Sequence, residues 1–122
     1  MKNYVLIAVS MAGLFLTAPA QAGDAAAGAK VFKKCKACHY VDRKKNKSGP
    51  HLVNVVGRAA GVVEGFKYSK AMAGSGLVWD EATLTGFLAK PKKYLKGTKM
   101  SFAGLKKESD IANVIAYLKA AK

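Results

Sequence analysis

The five residues Cys35-Lys36-Ala37-Cys38-His39 constrain this chain more than any other feature. They hold both of its cysteines, and a disulfide across two intervening residues would close too short a loop to stabilise a fold. The thiols therefore serve chemistry. A redox dithiol of the thioredoxin kind needs a strand before the motif and a parallel sheet around it, whereas this motif closes a helical stretch in a chain without strand-like alternation. A zinc site could draw on Cys35, Cys38 and His51, but Val55, Val56 and Gly57 stand where a second histidine is required. The third chemistry fits. Cys-x-x-Cys-His is the attachment sequence of c-type haem, in which two thiols add across the porphyrin vinyl groups and the adjacent imidazole coordinates iron.

The chain has 122 residues, of which 21 are Lys or Arg and 7 Asp or Glu, a formal charge of +14. That length allows one domain and excludes a multidomain enzyme. Residues 1–22 differ in kind from the rest. Lys2 precedes an uncharged, mostly apolar run from Tyr4 to Leu16, and Ala20-Gln21-Ala22 places small residues where a signal peptidase reads. The run is shorter than the roughly 20 residues of a membrane-spanning helix, so a leader removed before Gly23 is expected, with the working domain at 23–122. Loss of Lys2 leaves 20 basic and 7 acidic side chains, a net +13. An exported chain of this kind works in an oxidising compartment, the bacterial periplasm.

Hydrophobic residues make up 51% of the sequence, so the charge sits on a folded surface. The expected fold is all-α, with three main helices. The first runs from about Ala25 to Cys38 with Asp24 as N-cap, and it carries Gly28, Val31, Phe32 and Cys35 on one face. The second runs from about Glu81 to Lys90, capped by Asp80 and stopped by Pro91. The third runs from about Asp110 to Ala121 with an apolar stripe of Ile111, Val114, Ile115 and Leu118. About 40 residues without clear periodicity separate the first two. Loops this long in so small a domain are expected to wrap something, and a domain of this size has a thin core unless a cofactor fills it.

Haem iron needs a sixth ligand or an open face, and the candidates are His51, Met72 and Met100. Met100 is favoured because the loop Gly97-Thr98-Lys99-Met100-Ser101-Phe102, beyond the second helix, can carry a thioether over the far side of a porphyrin. Met72 is read as packing, and His51 as a histidine without a metal role. The run Arg43-Lys44-Lys45-Asn46-Lys47 is read as a solvated loop, and nucleic-acid binding is not expected.

Over essentially the whole of 23–122 the chain resembles the class I cytochromes c, the type shared by mitochondria and respiring bacteria. The resemblance rests on Gly28 and Phe32, the haem motif, Gly49-Pro50, Gly57-Arg58, Gly65-Phe66-Lys67-Tyr68-Ser69, Trp79, Pro91-Lys92-Lys93-Tyr94, Gly97-Thr98-Lys99-Met100 and Ile115-Ala116-Tyr117-Leu118. It implies long loops wrapping one haem c, bound through Cys35 and Cys38 with His39 and Met100 as axial ligands. Pro50 would accept the imidazole N–H of His39. Arg58, Tyr68, Trp79 and Thr98 would hydrogen-bond or neutralise the haem propionates. Gly28 and Phe32 would pack on Val114, Tyr117 and Leu118.

The function implied is one-electron shuttling by a monomer, with no substrate turnover. Its partners would be acidic docking patches of membrane redox complexes, met through a haem edge ringed by Lys34, Lys92, Lys93, Lys99, Lys106 and Lys107. Three positions depart from the usual pattern. Phe87 replaces a tyrosine, Met72 an asparagine and Lys96 a proline, which makes the expected pocket drier and its ligand loop softer. A haem enzyme or gas sensor with a labile sixth ligand, and an exported thiol oxidoreductase, are the alternatives from other classes.

Overall fold

In the computed structural model, which describes residues 8, 10–14 and 23–121, five helices follow one another. They are α1 (Ala25–Phe32), α2 (Lys70–Ala73), α3 (Glu81–Ala89), α4 (Pro91–Tyr94) and α5 (Glu108–Ala120). Most of the expected leader, residues 1–7, 9 and 15–22, lies outside the described residues. Among those described there is no strand, only isolated bridges between His39 and Asn46 and between Ala59 and Val78. No described helix is long and apolar enough to cross a membrane.

Three of the helix starts follow from side-chain capping, two of them through carboxylates. The Asp24 carboxylate accepts from the backbone N–H groups of Ala26 and Ala27 at 2.8 and 3.4 Å, and that of Asp80 accepts from Thr83 at 2.8 Å. These bonds satisfy N–H groups that a helix cannot pair internally. The negative charge they favour holds Asp80 below its ordinary pKa. α5 begins at Glu108, two residues before the expected start, without a side-chain cap. Glu108 and Asp110 in its first turn complement the helix dipole instead.

The first helix ends earlier than its periodicity suggests. α1 stops at Phe32, and the chain continues in tightened turns through Cys38. The Cys35 N–H donates to the Phe32 carbonyl three residues back at 2.8 Å, and Cys38 repeats this on Cys35 at 3.1 Å. Such i to i−3 bonds eclipse side chains three apart, so the two thiols come onto one side of the turn. The short helices α2 and α4 were not expected as separate elements. Ser69 caps α2 through a 3.1 Å bond from Met72 N–H. Pro91 both ends α3 and opens α4, because its ring fits a first helical position but not an interior one.

The chain's two ends close the core. α1 lies on α5 so tightly that a Cβ on Gly28 would strike the Asn113 carbonyl and approach the Tyr117 Cβ to 2.8 Å. Phe32 then stacks on Tyr117 with ring centroids 5.1 Å apart. Phe32, Ile111, Val114, Ile115 and Leu118 are buried with Leu84 and Phe87 of α3 in one cluster. Apart from the four-residue α2, the segment 53–79 is held by loop-to-loop backbone bonds. Trp79 N–H donates to the Arg58 carbonyl at 2.9 Å, and Gly57 N–H donates to the Trp79 carbonyl at 2.8 Å.

Gly28→Ala forces a methyl group into a backbone carbonyl, so it is expected to destabilise the protein by about 1–3 kcal/mol, the usual cost of overpacking. Urea unfolding of the two proteins side by side, followed by circular dichroism, measures this directly.

Candidate haem site

The turn that follows α1 presents Cys35 half-buried and Cys38 exposed, with both thiols free. Burial pushes the Cys35 thiol above its ordinary pKa, and the neighbouring Cys38 pushes in the same direction, against a smaller lowering by Lys34. An activated redox dithiol has the opposite displacement.

His39 follows immediately, its backbone N–H on the Cys35 carbonyl at 3.0 Å. Its Nδ1 lies 2.6 Å from the carbonyl oxygen of Pro50. A carbonyl can only accept, so Nδ1 carries the proton and the Nε2 lone pair is free for a metal. Burial holds the imidazole below its ordinary pKa. The bond to Pro50 opposes this, and Arg58 and Lys47 add to the lowering. The ring is therefore neutral at pH 7. Its orientation is fixed from the other side too, because a Cβ on Gly49 would come within 2.8 Å of Nδ1. Only glycine lets the backbone lie against that ring.

Arg58 is half-buried and anchored at one end. Its Nη1 donates to the Val53 carbonyl at 3.0 Å and Nη2 to the His51 carbonyl at 3.1 Å, while Nε is buried without a partner. Burial pulls its pKa down, partly offset by nearby Tyr68. An unpaired N–H on a buried guanidinium is costly, and an incoming carboxylate satisfies it. Tyr68 accepts from Val63 N–H at 3.1 Å. Trp79 is buried and stacks on Phe87 at 4.9 Å. This residue set fits a haem: two thiols on one side of a turn, an imidazole with its lone pair free, and a guanidinium donor awaiting an anion.

The expected site residues are thus only partly joined to one another. Direct bonds link Cys35 to His39, His39 to Pro50, and Arg58 to Trp79. Thr98 binds Met100, its Oγ1 accepting the Met100 N–H at 3.4 Å. Met100 and Met72 both pack, partly buried, against the core cluster, so burial does not separate them. Met72 is tied into α2 through the Ser69 cap and its own carbonyl, which accepts from Ser75 Oγ at 2.9 Å. Met100 sits in an extended loop. His51 is occupied locally, its Nδ1 accepting from Val53 N–H at 3.3 Å.

The six lysines expected to dock partners, Lys34, Lys92, Lys93, Lys99, Lys106 and Lys107, are all exposed. None enters an ion pair among the described residues, where the pairs are Arg43 with Asp42 and Lys119 with Glu81. Lys92 and Lys93 share a cleft of about 560 Å³ with Lys90, Ser101 and Phe102, beside Met100 in sequence.

Asn46 escapes a reading by charge. Within a run taken as solvated loop, it is half-buried, donates to the Glu64 carbonyl at 3.1 Å and accepts from His51 N–H at 3.0 Å. Lys47 and Arg43 in the same run lie over the Tyr40 ring, 4.1 and 4.9 Å from its centroid. Lys47 also donates to the Lys36 carbonyl at 2.9 Å. This loop is built against the haem motif. Asn between lysines is the one sequence signal, since it alone there can both donate and accept.

Comparison with known proteins agrees with this geometry. The family model described as Cytochrome c matches residues 25–122. A "Cytochrome c2" of Rhodomicrobium vannielii is 51% identical over 119 residues, 97% of this chain and 95% of the relative. A "Cytochrome c2 iso-2" of Magnetospirillum molischianum is 54% identical over 99 residues, 81% of this chain and 99% of the relative. Among solved structures, the cytochrome cH from Methylobacterium extorquens superposes with a TM-score of 0.77 at 49% identity, covering 80% of this chain and 99% of that one.

With the thiols gone, the covalent group that fills the domain's centre cannot attach. Cys35→Ala with Cys38→Ala is expected to leave the purified polypeptide largely unfolded. The check is its far-ultraviolet circular dichroism, where native-like helical signal from the haem-free chain would refute the expectation.

Proposed function

We propose, given that this chain belongs to the cytochrome c family, that it shuttles single electrons between larger membrane redox complexes in a bacterial periplasm. Proteins of this family are electron carriers rather than enzymes, and each carries one haem c, here bound through Cys35 and Cys38. When bound, the haem supplies an iron that exchanges one electron without bond rearrangement at a substrate.

The observation that carries the reading is the 2.6 Å contact between His39 Nδ1 and the Pro50 carbonyl. It leaves the Nε2 lone pair free for the iron, and a hydrogen-bonded imidazole is a stronger donor. Met100 is the sixth ligand in this reading, delivered by the loop after α4. Arg58 gives its free Nε–H to a propionate, with Tyr68, Trp79 and Thr98 as further partners, so that the carboxylates are not left unpaired in a dry pocket. Phe87, buried with its ring 4.9 Å from Trp79 and 6.3 Å from Tyr94 by centroids, brings no hydroxyl to the pocket where many relatives carry a tyrosine. A buried ligand field that changes little on reduction suits a carrier.

The leader is removed before Gly23 and the chain acts as a monomer. The Magnetospirillum molischianum relative supports the cut: 99% of it aligns with 99 residues of this chain, close to the 100 that remain without residues 1–22. Lys34, Lys92, Lys93, Lys99, Lys106 and Lys107 meet acidic patches on the partners. Their support is exposure and freedom from ion pairs, with a net +13 behind them.

Met100→Ala should abolish the methionine–iron charge-transfer band of the ferric protein, admit external ligands and lower the potential, since thioether ligation favours ferrous iron. Met72→Ala should leave the band in place, and its loss in that variant would reassign the ligand.

Docking is tested by salt and charge reversal. Raising ionic strength from about 0.01 M to 0.15 M shortens the screening length from roughly 30 Å to 8 Å, and electron transfer to an acidic partner should slow steeply. Stopped-flow rates should fall more for Lys92→Glu or Lys99→Glu than for Lys44→Glu. Equal effects at all three positions would remove the lysine ring from the reading.

A further inference from the structure

Along α5, between α3 and the segment that leads into α1, there is a recess of about 210 Å³, apart from the haem site. It is lined by Gly23 on the approach to α1, by Glu81 and Thr85 of α3, and by Ala112, Ile115 and Lys119 of α5. Gly23 is seated there closely. A Cβ on it would strike the Ala112 carbonyl and approach Asn113 N to 2.8 Å. The next residue is pinned as well, since Asp24 N–H donates to Asn113 Oδ1 at 2.8 Å. The nitrogen of Gly23 is thus three bonds from a pinned atom, the Asp24 nitrogen.

Among the described residues, Glu81 is the only acidic one lining this recess. Its carboxylate already pairs with Lys119, and both side chains remain about half exposed. Thr85 is spoken for, its hydroxyl donating to the Glu81 carbonyl at 2.6 Å. Cutting the chain before Gly23 creates an ammonium at the start of α1, beside N–H groups that carry partial positive charge. The first turn of α1 holds no acidic residue, and the Asp24 carboxylate is engaged by Ala26 and Ala27. A cation placed there calls for an anion from another element, and the recess offers one.

We propose that this recess is the seat of the α-ammonium of Gly23, which shares the Glu81 carboxylate with Lys119, so that leader removal completes a three-group charge cluster tying α1 to α3 and α5. The proposal rests on cleavage before Gly23. A leader still attached has no charge at this nitrogen, and a chain cut one residue early carries its charge about 3.8 Å further along the backbone.

The test uses exported holoprotein, with mass spectrometry first establishing where each chain begins. The protein starting at Gly23 is compared with one bearing an extra alanine before Gly23, each with native Glu81 and with Glu81→Gln. With Glu81 present, the extra residue should raise the unfolding equilibrium constant about two- to fivefold, the range of a partly exposed ion pair. That rise should vanish in Glu81→Gln, shrink in high salt, and grow in Lys119→Gln, where the carboxylate is no longer shared. A response to the extra alanine that is absent, or that persists undiminished in Glu81→Gln, overturns the seat. An exported chain that begins elsewhere overturns the cleavage reading on which it rests, and the mass alone reveals that case.

Discussion

The imidazole of His39 is fixed from two directions, and the rest of the site is arranged around that fact. The Pro50 carbonyl accepts the Nδ1–H hydrogen bond at 2.6 Å and Gly49 lies against the ring, so the free lone pair has one direction in which to act. The sequence distance is short enough for this to be a local device. Gly49 N–H returns to the Cys38 carbonyl at 2.9 Å, which closes the segment from the second thiol to Pro50 into one unit. The thiols, the ligand and its hydrogen-bond acceptor move together because backbone bonds join them.

Around this unit the protein is built with little regular structure. Its terminal helices clasp each other through Gly28 and the Phe32–Tyr117 stack, and α3 adds Leu84 and Phe87 to the same cluster. The segments between are organised by single hydrogen bonds from one loop to another. Arg58 shows the consequence: its backbone receives Trp79, its Nη atoms hold two carbonyls, and its Nε remains unpartnered. A half-buried guanidinium with one N–H left unpaired accords with a family whose members bind a covalent haem.

What could be read from the sequence were the features governed by local rules. The haem motif, the Asp24 and Asp80 caps, the stop at Pro91 and the stripe of α5 each depend on residues within a turn or two. The early end of α1 was not legible, because Val31 and Cys35 continue the apolar face past Phe32 while the backbone tightens to bring the thiols together. Asn46 was hidden for a different reason. Its partners, Glu64 and His51, are chosen by tertiary folding, and a charge count sees only its lysine neighbours. Burial did not discriminate Met72 from Met100, so that choice belongs to ligand chemistry.

Asn46 also determines how the loop under the haem motif behaves in acid. A side-chain amide has no proton to gain in the ordinary range, so the ties it makes to Glu64 and His51 use two backbone partners and one neutral group. A histidine or carboxylate in that position would turn the same tie into a hinge released by protonation. Here the hinge is deaf to pH, and acid must loosen this part of the protein by other routes.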